Sequence, residues 1–425
     1  MSGRGCNSMN RNDRAITGFT MAGHGMVHTY ELSVPILMTV WLVEFPVTTA
    51  TLGTVVAVGY GLFGVGALPG GLLVDRFGSR RLIVACLFGM GGSFLLLGVA
   101  PGVVGITVAL AVWGLAASVY HPAGLTLISN GVEQRGVGFA YHGMAGNVGI
   151  AFGPFVTALL LLVFDWRTAA MVLALPALLA ALIGTTVEFD EAAAVETVTD
   201  GGEAPTTDVT SLREFRSASR GLFTAGFLTV FVLVLFNGLY YRGMVTFLPE
   251  LLSDFLSPLV AGNPGEAVGV VPEGPAAEEF DLSRYLYAGL LAVGIGGQYV
   301  GGRLTDAIEP ERGMAAMLGA LVVIALLFVP ASATLPTLLA VSVALGFALF
   351  AMQPLSQATI AKYSPPEHRG LSFGYTYLAI FGIGALGASL AGTVLTYGST
   401  VAVFLLLAGF ASVALALAFV LIVRY

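Results

Sequence analysis

Charge is scarce in this chain. Charged residues make up 10% of its 425 amino acids and hydrophobic residues make up 56%, and long apolar runs recur from one end to the other. A water-soluble domain needs a more polar surface than this composition supplies. A helix that crosses a bilayer needs about 20 mostly apolar residues. By that rule the sequence predicts twelve membrane-spanning helices, six before residue 188 and six after residue 220.

Cysteine and lysine are nearly absent as well. Cys6 and Cys86 are the two cysteines and offer no disulfide framework. A phosphate-binding P-loop needs a lysine after a glycine, but the only lysine, Lys362, follows Ala361. The dinucleotide-like stretch GYGLFG at 59–64 lies inside a predicted membrane helix with no strand before it. No HExxH, paired CxxC or GxSxG pattern occurs, so we expect no enzyme activity, no cofactor and no nucleic-acid partner.

Acidic residues outnumber basic ones, and the formal net charge is -7. The acids concentrate in residues 188–208 and 250–281. An acidic, lysine-poor surface favours solubility in salt and is the pattern expected of a halophile. We therefore predict that the protein is more stable in molar KCl than in dilute buffer.

Internal repeats divide the chain into two halves. GGLLVDRFGSRR at 70–81 is echoed by GGRLTDAIEPER at 301–312, and YHPAGLTLIS at 120–129 by MQPLSQATIA at 352–361. EQRGVGFAY at 133–141 likewise has the counterpart EHRGLSFGY at 367–375. These matches share nearly one offset, which indicates a duplicated unit. The predicted organisation is a six-helix half over 1–187, a cytoplasmic linker over 188–220 and a second six-helix half over 221–425.

Basic residues predict the orientation, because lysine and arginine are retained on the cytoplasmic side of a membrane. With both termini in the cytoplasm, every basic residue lies in an inner segment except Arg167 and Arg284 in outer loops and Arg242 inside a helix. We therefore expect a multi-pass protein of the cell membrane with both termini cytoplasmic.

Two six-helix halves with a cavity between them are the expected form of a rocking transporter. A signature motif follows the second predicted helix and consists of Gly71, Asp75, Arg76, Gly78, Arg80 and Arg81, with a degenerate copy at Gly302 and Asp306. By this motif the chain resembles the major facilitator superfamily over nearly its whole length. The resemblance implies an all-α membrane protein that works as a monomer. It also implies a cytoplasmic gate, in which Asp75 meets the start of the eleventh helix near Leu371 and stabilises the outward-facing state.

Within that superfamily, SVYHPAG at 118–124 and HGMAGNVGIAFGP at 142–154 resemble the fosmidomycin-resistance-like exporters. Gly149, Gly153 and Pro154 fit the fifth-helix pattern of antiporters, although Thr157 and Ala158 replace its closing glycine pair. The fourth helix lacks the intramembrane arginine of many drug and proton antiporters, so other groups would have to carry the proton.

Three ionisable residues, His24, His28 and Glu31, interrupt the apolar first helix. They share one face, because a helix turns by about 100° per residue. Ionisable residues at this depth mark ion or proton pathways. By resemblance, His121 of the fourth helix and His142 of the fifth helix join them at the cavity. We expect Glu31 to carry the proton with help from the histidines; alternatively, the histidines are hydrogen-bonded core residues, or His24, His28 and Glu31 bind a divalent metal ion.

The second half contributes Arg242, in the stretch FNGLYYRGMVTFLP at 236–249. Its planar donors suit a carboxylate, phosphonate or phosphate, which favours a substrate anion. The alternative is that Arg242 points outward or pairs with an acid such as Glu250. Further expected substrate contacts are Asn147, Asn237, Tyr240, Tyr241, Gln298 and Gln353.

Together these features predict a secondary active transporter that exports a small organic compound in exchange for protons by alternating access, with organic anions among the candidate substrates. Uptake by symport is the alternative. A sensor that has lost transport and a membrane enzyme are two further hypotheses.

Overall fold

The computed structural model describes residues 9–195, 212–260, 280–365 and 369–425, and within these ranges the chain is helical without a strand. In the first half the long helices are α1 (Arg11–Glu44), α2 (Thr49–Phe77), α3 (Ser79–Gly98), α4 (Val103–Ser118 and Tyr120–Gly131), α5 (Arg135–Leu160) and α6 (Trp166–Thr186). In the second half they are α7 (Ala225–Leu256), α8 (Leu282–Ala307), α9 (Pro310–Ala331), α10 (Leu335–Lys362), α11 (Arg369–Tyr377, the π-helical Leu378–Ile383 and Leu386–Tyr397) and α12 (Thr400–Arg424). The predicted all-α fold of two six-helix halves is confirmed.

Eleven of these helices, within the described residues, are long and apolar enough to cross a membrane. The exception is α8, whose 26 residues include Arg284, Arg303 and Asp306 near its two ends. α8 packs against α5 of the first half and α10 of its own half, so it lies inside the same bundle.

Two helices depart from regular α-helix beside the space between the halves. α4 breaks at Val119, shortly before Pro122, whose ring removes a backbone donor and crowds the preceding turn. α11 contains six π-helical residues, and such segments are frequent at functional sites. The ring of His121, just after the break in α4, and the ring of Tyr377, the residue just before the π-helical segment, have centroids 5.5 Å apart. The two irregular segments therefore approach each other across the boundary between the halves.

The halves are in contact at the end of the bundle opposite the chain termini. Thr49 at the start of α2 donates its hydroxyl to the carbonyl oxygen of Gly392 in α11 over 3.0 Å. The hydroxyl oxygens of Thr54 and Ser389 lie 2.9 Å apart. Gly53 packs against the carbonyl oxygen of Ala388, where a Cβ would collide with the backbone. Small residues thus let α2 and α11 close this end.

A single residue, Gly78, joins α2 to α3. Its φ of 79° lies in the left-handed region, which explains why the motif requires a glycine there. Glu191 accepts hydrogen bonds from the backbone nitrogens of Ser79 at 3.0 Å and Arg80 at 3.3 Å, at the start of α3. Arg80 donates through Nε to the carbonyl oxygen of Gly184 over 3.0 Å, near the end of α6. Both contacts place a side-chain charge where the helix dipole favours it.

The other motif residues lie on the surface of the same end. Gly71, Arg76, Arg81 and Asp306 are exposed. The side chain of Asp75 lies outside the described part of the chain, and the predicted contact of Asp75 with α11 therefore stays a prediction.

Between the halves, the helix Leu212–Leu222 precedes α7. Residues 196–211, which are 16 of the 33 residues of the predicted linker, lie outside the described part of the chain, as do residues 261–279 of the predicted outer loop at 252–282. The first linker residues bind the ends of α1 and α4: the backbone nitrogen of Asp190 donates to Asn12 over 2.7 Å, and that of Ala194 to the carbonyl oxygen of Asn130 over 2.9 Å. The domain boundaries at 187 and 220 stay predictions.

Candidate functional site

A cavity of about 540 Å³ lies between the two halves. It runs from Glu31, in the middle of α1, toward Phe139 and Phe373, which lie near the starts of α5 and α11. Those helix starts are at the end of the bundle that carries the chain termini, opposite the α2–α11 contact. Of the residues predicted to form the site, the cavity is lined by His24, His28, Glu31, His121, His142, Asn147, Asn237, Tyr241, Gln298 and Gln353.

Four histidines form one cluster on the first-half side of the cavity. The ring of His24 lies 4.8 Å from that of His28, 5.3 Å from that of His121 and 3.9 Å from that of His142, between centroids. The rings of His24 and His142 are stacked, with planes only 11° apart. The prediction that α1, α4 and α5 bring these residues together therefore agrees with their positions.

Glu31 joins this cluster to the second half. One carboxylate oxygen accepts from Nδ1 of His28 over 2.6 Å, and the other accepts from Arg242 of α7 over 2.5 Å. The Glu31 side chain is 2% exposed and the Arg242 side chain 0%, so both charges are removed from solvent. Tyr60 completes the surroundings, because its hydroxyl donates to the backbone oxygen of Glu31 over 2.7 Å and its ring lies 3.8 Å from the guanidinium carbon of Arg242.

This pairing gives Arg242 an acidic partner other than the one expected. The guanidinium does not point outward, its acidic partner is Glu31 rather than Glu250, and it is not among the residues that line the cavity. A buried guanidinium beside a buried carboxylate is held because separating them would leave an uncompensated charge. Within the described residues, Nε and Nη1 of Arg242 have no hydrogen-bond partner.

The hydrogen bonds of His24 and His28 indicate that the Nδ1 atom of each ring carries a proton. Nδ1 of His24 lies 2.7 Å from the carbonyl oxygen of His142, and Nδ1 of His28 lies 2.6 Å from the carboxylate of Glu31. Carbonyl and ionised carboxylate oxygens only accept, so both Nδ1 atoms must donate. The remaining Nε2 atoms of the two rings face each other at 3.1 Å. Two neutral rings would place two lone pairs against each other there, so this arrangement needs a proton or another cation between them.

The second half lines the cavity with neutral polar groups. Gln298 of α8 donates its amide to Gln353 of α10, and both residues face the cavity with Asn237 and Tyr241 of α7. Tyr240 is the exception among the predicted contacts. Its buried hydroxyl points to the carbonyl oxygen of Leu321 in α9, at 3.5 Å, and the residue does not line the cavity.

Among the residues of this site that the sequence analysis did not predict are Tyr60, Gln357 and Tyr377. Tyr60 lies in the stretch GYGLFG, which reads as a packing motif because its glycines dominate the pattern. Gln357 is one helical turn after Gln353, and that spacing was the available signal for it. Tyr377 immediately precedes the π-helical segment, for which the sequence carries no recognisable pattern.

Comparison with known proteins identifies the family. The family model for the Major Facilitator Superfamily matches residues 13–262 and 267–425. The puromycin resistance protein pur8 of Streptomyces alboniger is 37% identical over 123 residues, which is 28% of this chain and 24% of that protein. The uncharacterized MFS-type transporter Rv0849 of Mycobacterium tuberculosis is 36% identical over 104 residues, 24% of each chain. The chain thus matches about a quarter of the length of these curated relatives.

Solved structures show the same fold at low identity. A mutant of the nucleoside transporter NupG superposes with a TM-score of 0.74 at 14% identity, covering 96% of this chain and 99% of that one. A bacterial homolog of the human lysosomal transporter Spinster, inward-facing and occupied, gives a TM-score of 0.68 at 14% identity, covering 97% and 96%. These likenesses agree with the twelve helices described above. The chain belongs to the Major Facilitator Superfamily.

Proposed function

We propose that this transporter exports a small organic compound in exchange for protons. The observation that carries the proposal is the ion pair between Glu31 and Arg242, which joins the two halves and is linked to the cavity through His28. Rocking of the halves changes their relative position, so it must either keep this pair intact or separate two charges that are removed from water. Separating ionised partners in a buried site is strongly unfavourable. Protonation of Glu31 would abolish the attraction that holds the halves together at this pair, and Arg242 would then need solvent or a substrate group as its partner.

A route for the proton runs through the histidines. The facing Nε2 atoms of His24 and His28, between which a proton would be held, belong to residues that line the cavity, and His28 contacts the Glu31 carboxylate directly. Imidazoles accept and donate protons near neutral pH. A proton could therefore pass from the cavity to Glu31 without crossing apolar surface.

The position of Arg242 limits the charge that we expect the substrate to carry. An anion could bind Arg242 only after Glu31 is protonated and releases the guanidinium. The anion and the proton would therefore be bound together. A neutral or cationic compound instead binds better when Glu31 is ionised, so it would compete with the proton. This competition makes the compound and the proton move in opposite directions. The amides of Asn147, Asn237, Gln298 and Gln353 supply neutral hydrogen bonds for such a compound. The name of the partial relative pur8 as a resistance protein also favours export.

Symport of an organic anion is the second candidate. It is supported by the two nitrogens of Arg242 that have no partner in the described residues, since they could bind a carboxylate or phosphate once Glu31 is protonated.

Proteoliposomes with an internal pH dye would test the proposal. Gradients of hydrophobic amines, neutral amides, carboxylates and phosphonates are applied in turn. We expect an amine or amide gradient to drive protons in the opposite direction, and Glu31→Gln to abolish that proton movement. The matched control is Glu44→Gln, because Glu44 is also in α1 but pairs with Arg167 at the surface. Protons moving with a carboxylate would establish symport instead, and an unchanged proton flux in Glu31→Gln would remove Glu31 from the mechanism.

A further inference from the structure

Three cavity-lining histidines are arranged as ligands of one ion. His24 and His28 come from successive turns of α1 and His121 comes from the second segment of α4. One nitrogen from each ring lies within 4.8 Å of the others. All three residues face the cavity, so an ion could reach them from solvent.

The distance between two of these nitrogens matches tetrahedral coordination. Zn²⁺ binds histidine nitrogen at about 2.0–2.1 Å, which places two ligands of a tetrahedral ion about 3.3 Å apart. Nε2 of His24 and Nε2 of His28 are separated by 3.1 Å. Both nitrogens present lone pairs, because the Nδ1 atoms are already committed as donors. A cation between them would replace the repulsion of those lone pairs with two bonds.

The Nδ1 atoms of His24 and His28 make the kind of contact that orients metal-binding histidines. Such histidines usually donate their second ring nitrogen to a carboxylate or a backbone carbonyl, which fixes the tautomer and the ring direction. His28 donates to Glu31 and His24 donates to the carbonyl oxygen of His142. Both oxygens of Glu31 are occupied by His28 and Arg242, so Glu31 is suited to orient the histidines. The third nearby nitrogen belongs to His121, whereas the metal-site alternative in the sequence analysis had Glu31 as the third ligand.

His142 is close but unsuited to the same ion. Its ring is stacked on His24 with planes 11° apart and centroids 3.9 Å apart. Ring nitrogens bind metals in the plane of the ring, so two stacked rings direct their lone pairs along parallel lines that do not converge. His142 therefore provides a matched control of the same residue type in the same cavity.

We propose that His24, His28 and His121 bind one divalent transition-metal ion, with the fourth coordination position open to the cavity. Three imidazoles suit Zn²⁺, Co²⁺ or Ni²⁺, whereas Mg²⁺ and Ca²⁺ need oxygen ligands. The site goes beyond the proposed proton exchange, because binding requires no movement across the membrane. The ion and the cavity proton compete for the same nitrogens, so binding of the ion releases protons.

Cobalt titration of the purified protein would test the site. The full chain is purified in detergent without a polyhistidine tag, and Co²⁺ is titrated while visible absorption is recorded, followed by competition with Zn²⁺. We expect one Co²⁺ per chain with the absorption of a tetrahedral site. Loss of a hydrogen bond that only orients a ligand costs roughly 10–100-fold in metal affinity. Loss of a ligand should cost at least as much, so His28→Asn and His121→Asn should weaken binding by about 100-fold or more.

Two further variants keep the result interpretable. His142→Asn should leave the affinity within about threefold, since it removes no ligand. His121→Cys should retain binding with a shifted spectrum, because a thiolate can replace an imidazole. The proposal is overturned if folded wild-type protein, checked by size exclusion, binds no Co²⁺ at millimolar concentration. It is equally overturned if His142→Asn weakens binding as much as His121→Asn. Since no proton gradient is used, failure here is distinguishable from failure of the proposed exchange.

Discussion

The two halves share one fold but line the cavity with different chemistry. The first half supplies Glu31, four histidines and the amide of Asn147, and the second half supplies amides and hydroxyls, while Arg242, its one buried cation among the described residues, is held by Glu31. Groups that change charge near neutral pH thus face groups that can only donate or accept hydrogen bonds. The difference suggests that duplication supplied the framework and divergence assigned ion handling to one half and substrate recognition to the other.

The contact between the halves provides the strongest test of this division. Arg242→Met leaves Glu31 buried without its partner, and we expect the free energy of unfolding to fall by about 3–5 kcal/mol. Adding Glu31→Leu should recover most of that loss, because no buried charge then remains. Chemical unfolding in detergent measures both changes.

Arg167→Met is the control: its pair with Glu44 is about one-third exposed and should contribute no more than about 1 kcal/mol. Equal losses in Arg242→Met and Arg167→Met would contradict this account.

The short connections on one side of the bundle differ between the halves as well. α2 turns into α3 through Gly78 at a φ of 79°, whereas α8 joins α9 through Ile308 at a φ of -139° and Glu309 at a φ of -56°. Gly78→Ala should therefore lose about 1–3 kcal/mol of unfolding free energy, because residues with a Cβ rarely adopt a φ of 79° together with a ψ of 151°.

Gly71→Ala is the control for that connection. A Cβ at Gly71 meets nothing within 4 Å, and alanine in a helix interior gains roughly 0.5–1 kcal/mol over glycine. The unfolding temperatures of the two variants should shift in opposite directions. If both shift the same way, alanine at position 78 causes no strain.

Substrate recognition is the role that we assign to the second half. Gln353→Ala should raise the substrate KM by about tenfold, which corresponds to about 1.4 kcal/mol, without changing the number of protons exchanged per substrate. Flux measurements in proteoliposomes at several substrate concentrations give both quantities. Tyr240→Phe should leave KM unchanged, because its hydroxyl lies against α9 outside the cavity. A changed proton ratio in Gln353→Ala would contradict the division between the halves.

The smallest expected effect compares two helix caps. Asp165 caps α6 and Ser399 caps α12. A side-chain hydrogen bond from Thr168, together with the backbone N–H groups of the helix start, lowers the pKa of Asp165 below its ordinary 3.8. A carboxyl whose pKa is lowered by folding stabilises the protein above its ordinary pKa, and that contribution is lost as the pH falls through the lower folded value.

Replacing either cap with alanine should therefore cost about 1 kcal/mol or less at neutral pH. The loss in Asp165→Ala should shrink in acid, whereas the loss in Ser399→Ala should not depend on pH. Thermal unfolding at pH 7 and at pH values below 4 distinguishes the two. A pH dependence shared by both variants would assign the effect to some other group.

Much of the architecture followed from the sequence because the bilayer limits the choices. Hydropathy predicted twelve helices, of which all but α8 are long and apolar enough to cross a membrane, and the repeats at one offset predicted the two halves, since a membrane admits few folds besides packed helices. The spacing of His24, His28 and Glu31 also predicted one face of one helix, because that geometry is local. Gly78 was predicted as part of a motif between two helices by its resemblance to the superfamily signature.

The partners of those residues were decided by the tertiary structure. Glu31 and Arg242 are 211 residues apart in sequence, and no local pattern indicates that they meet rather than Arg242 and Glu250. His121 and His142 reach His24 through the packing of three helices, and the stacking of His142 that separates it from the proposed ion site depends on angles that no spacing encodes. A sequence specifies which groups are costly to leave in lipid, but the structure selects the partner that each of them finds, because pairing energy depends on distance and solvent exclusion.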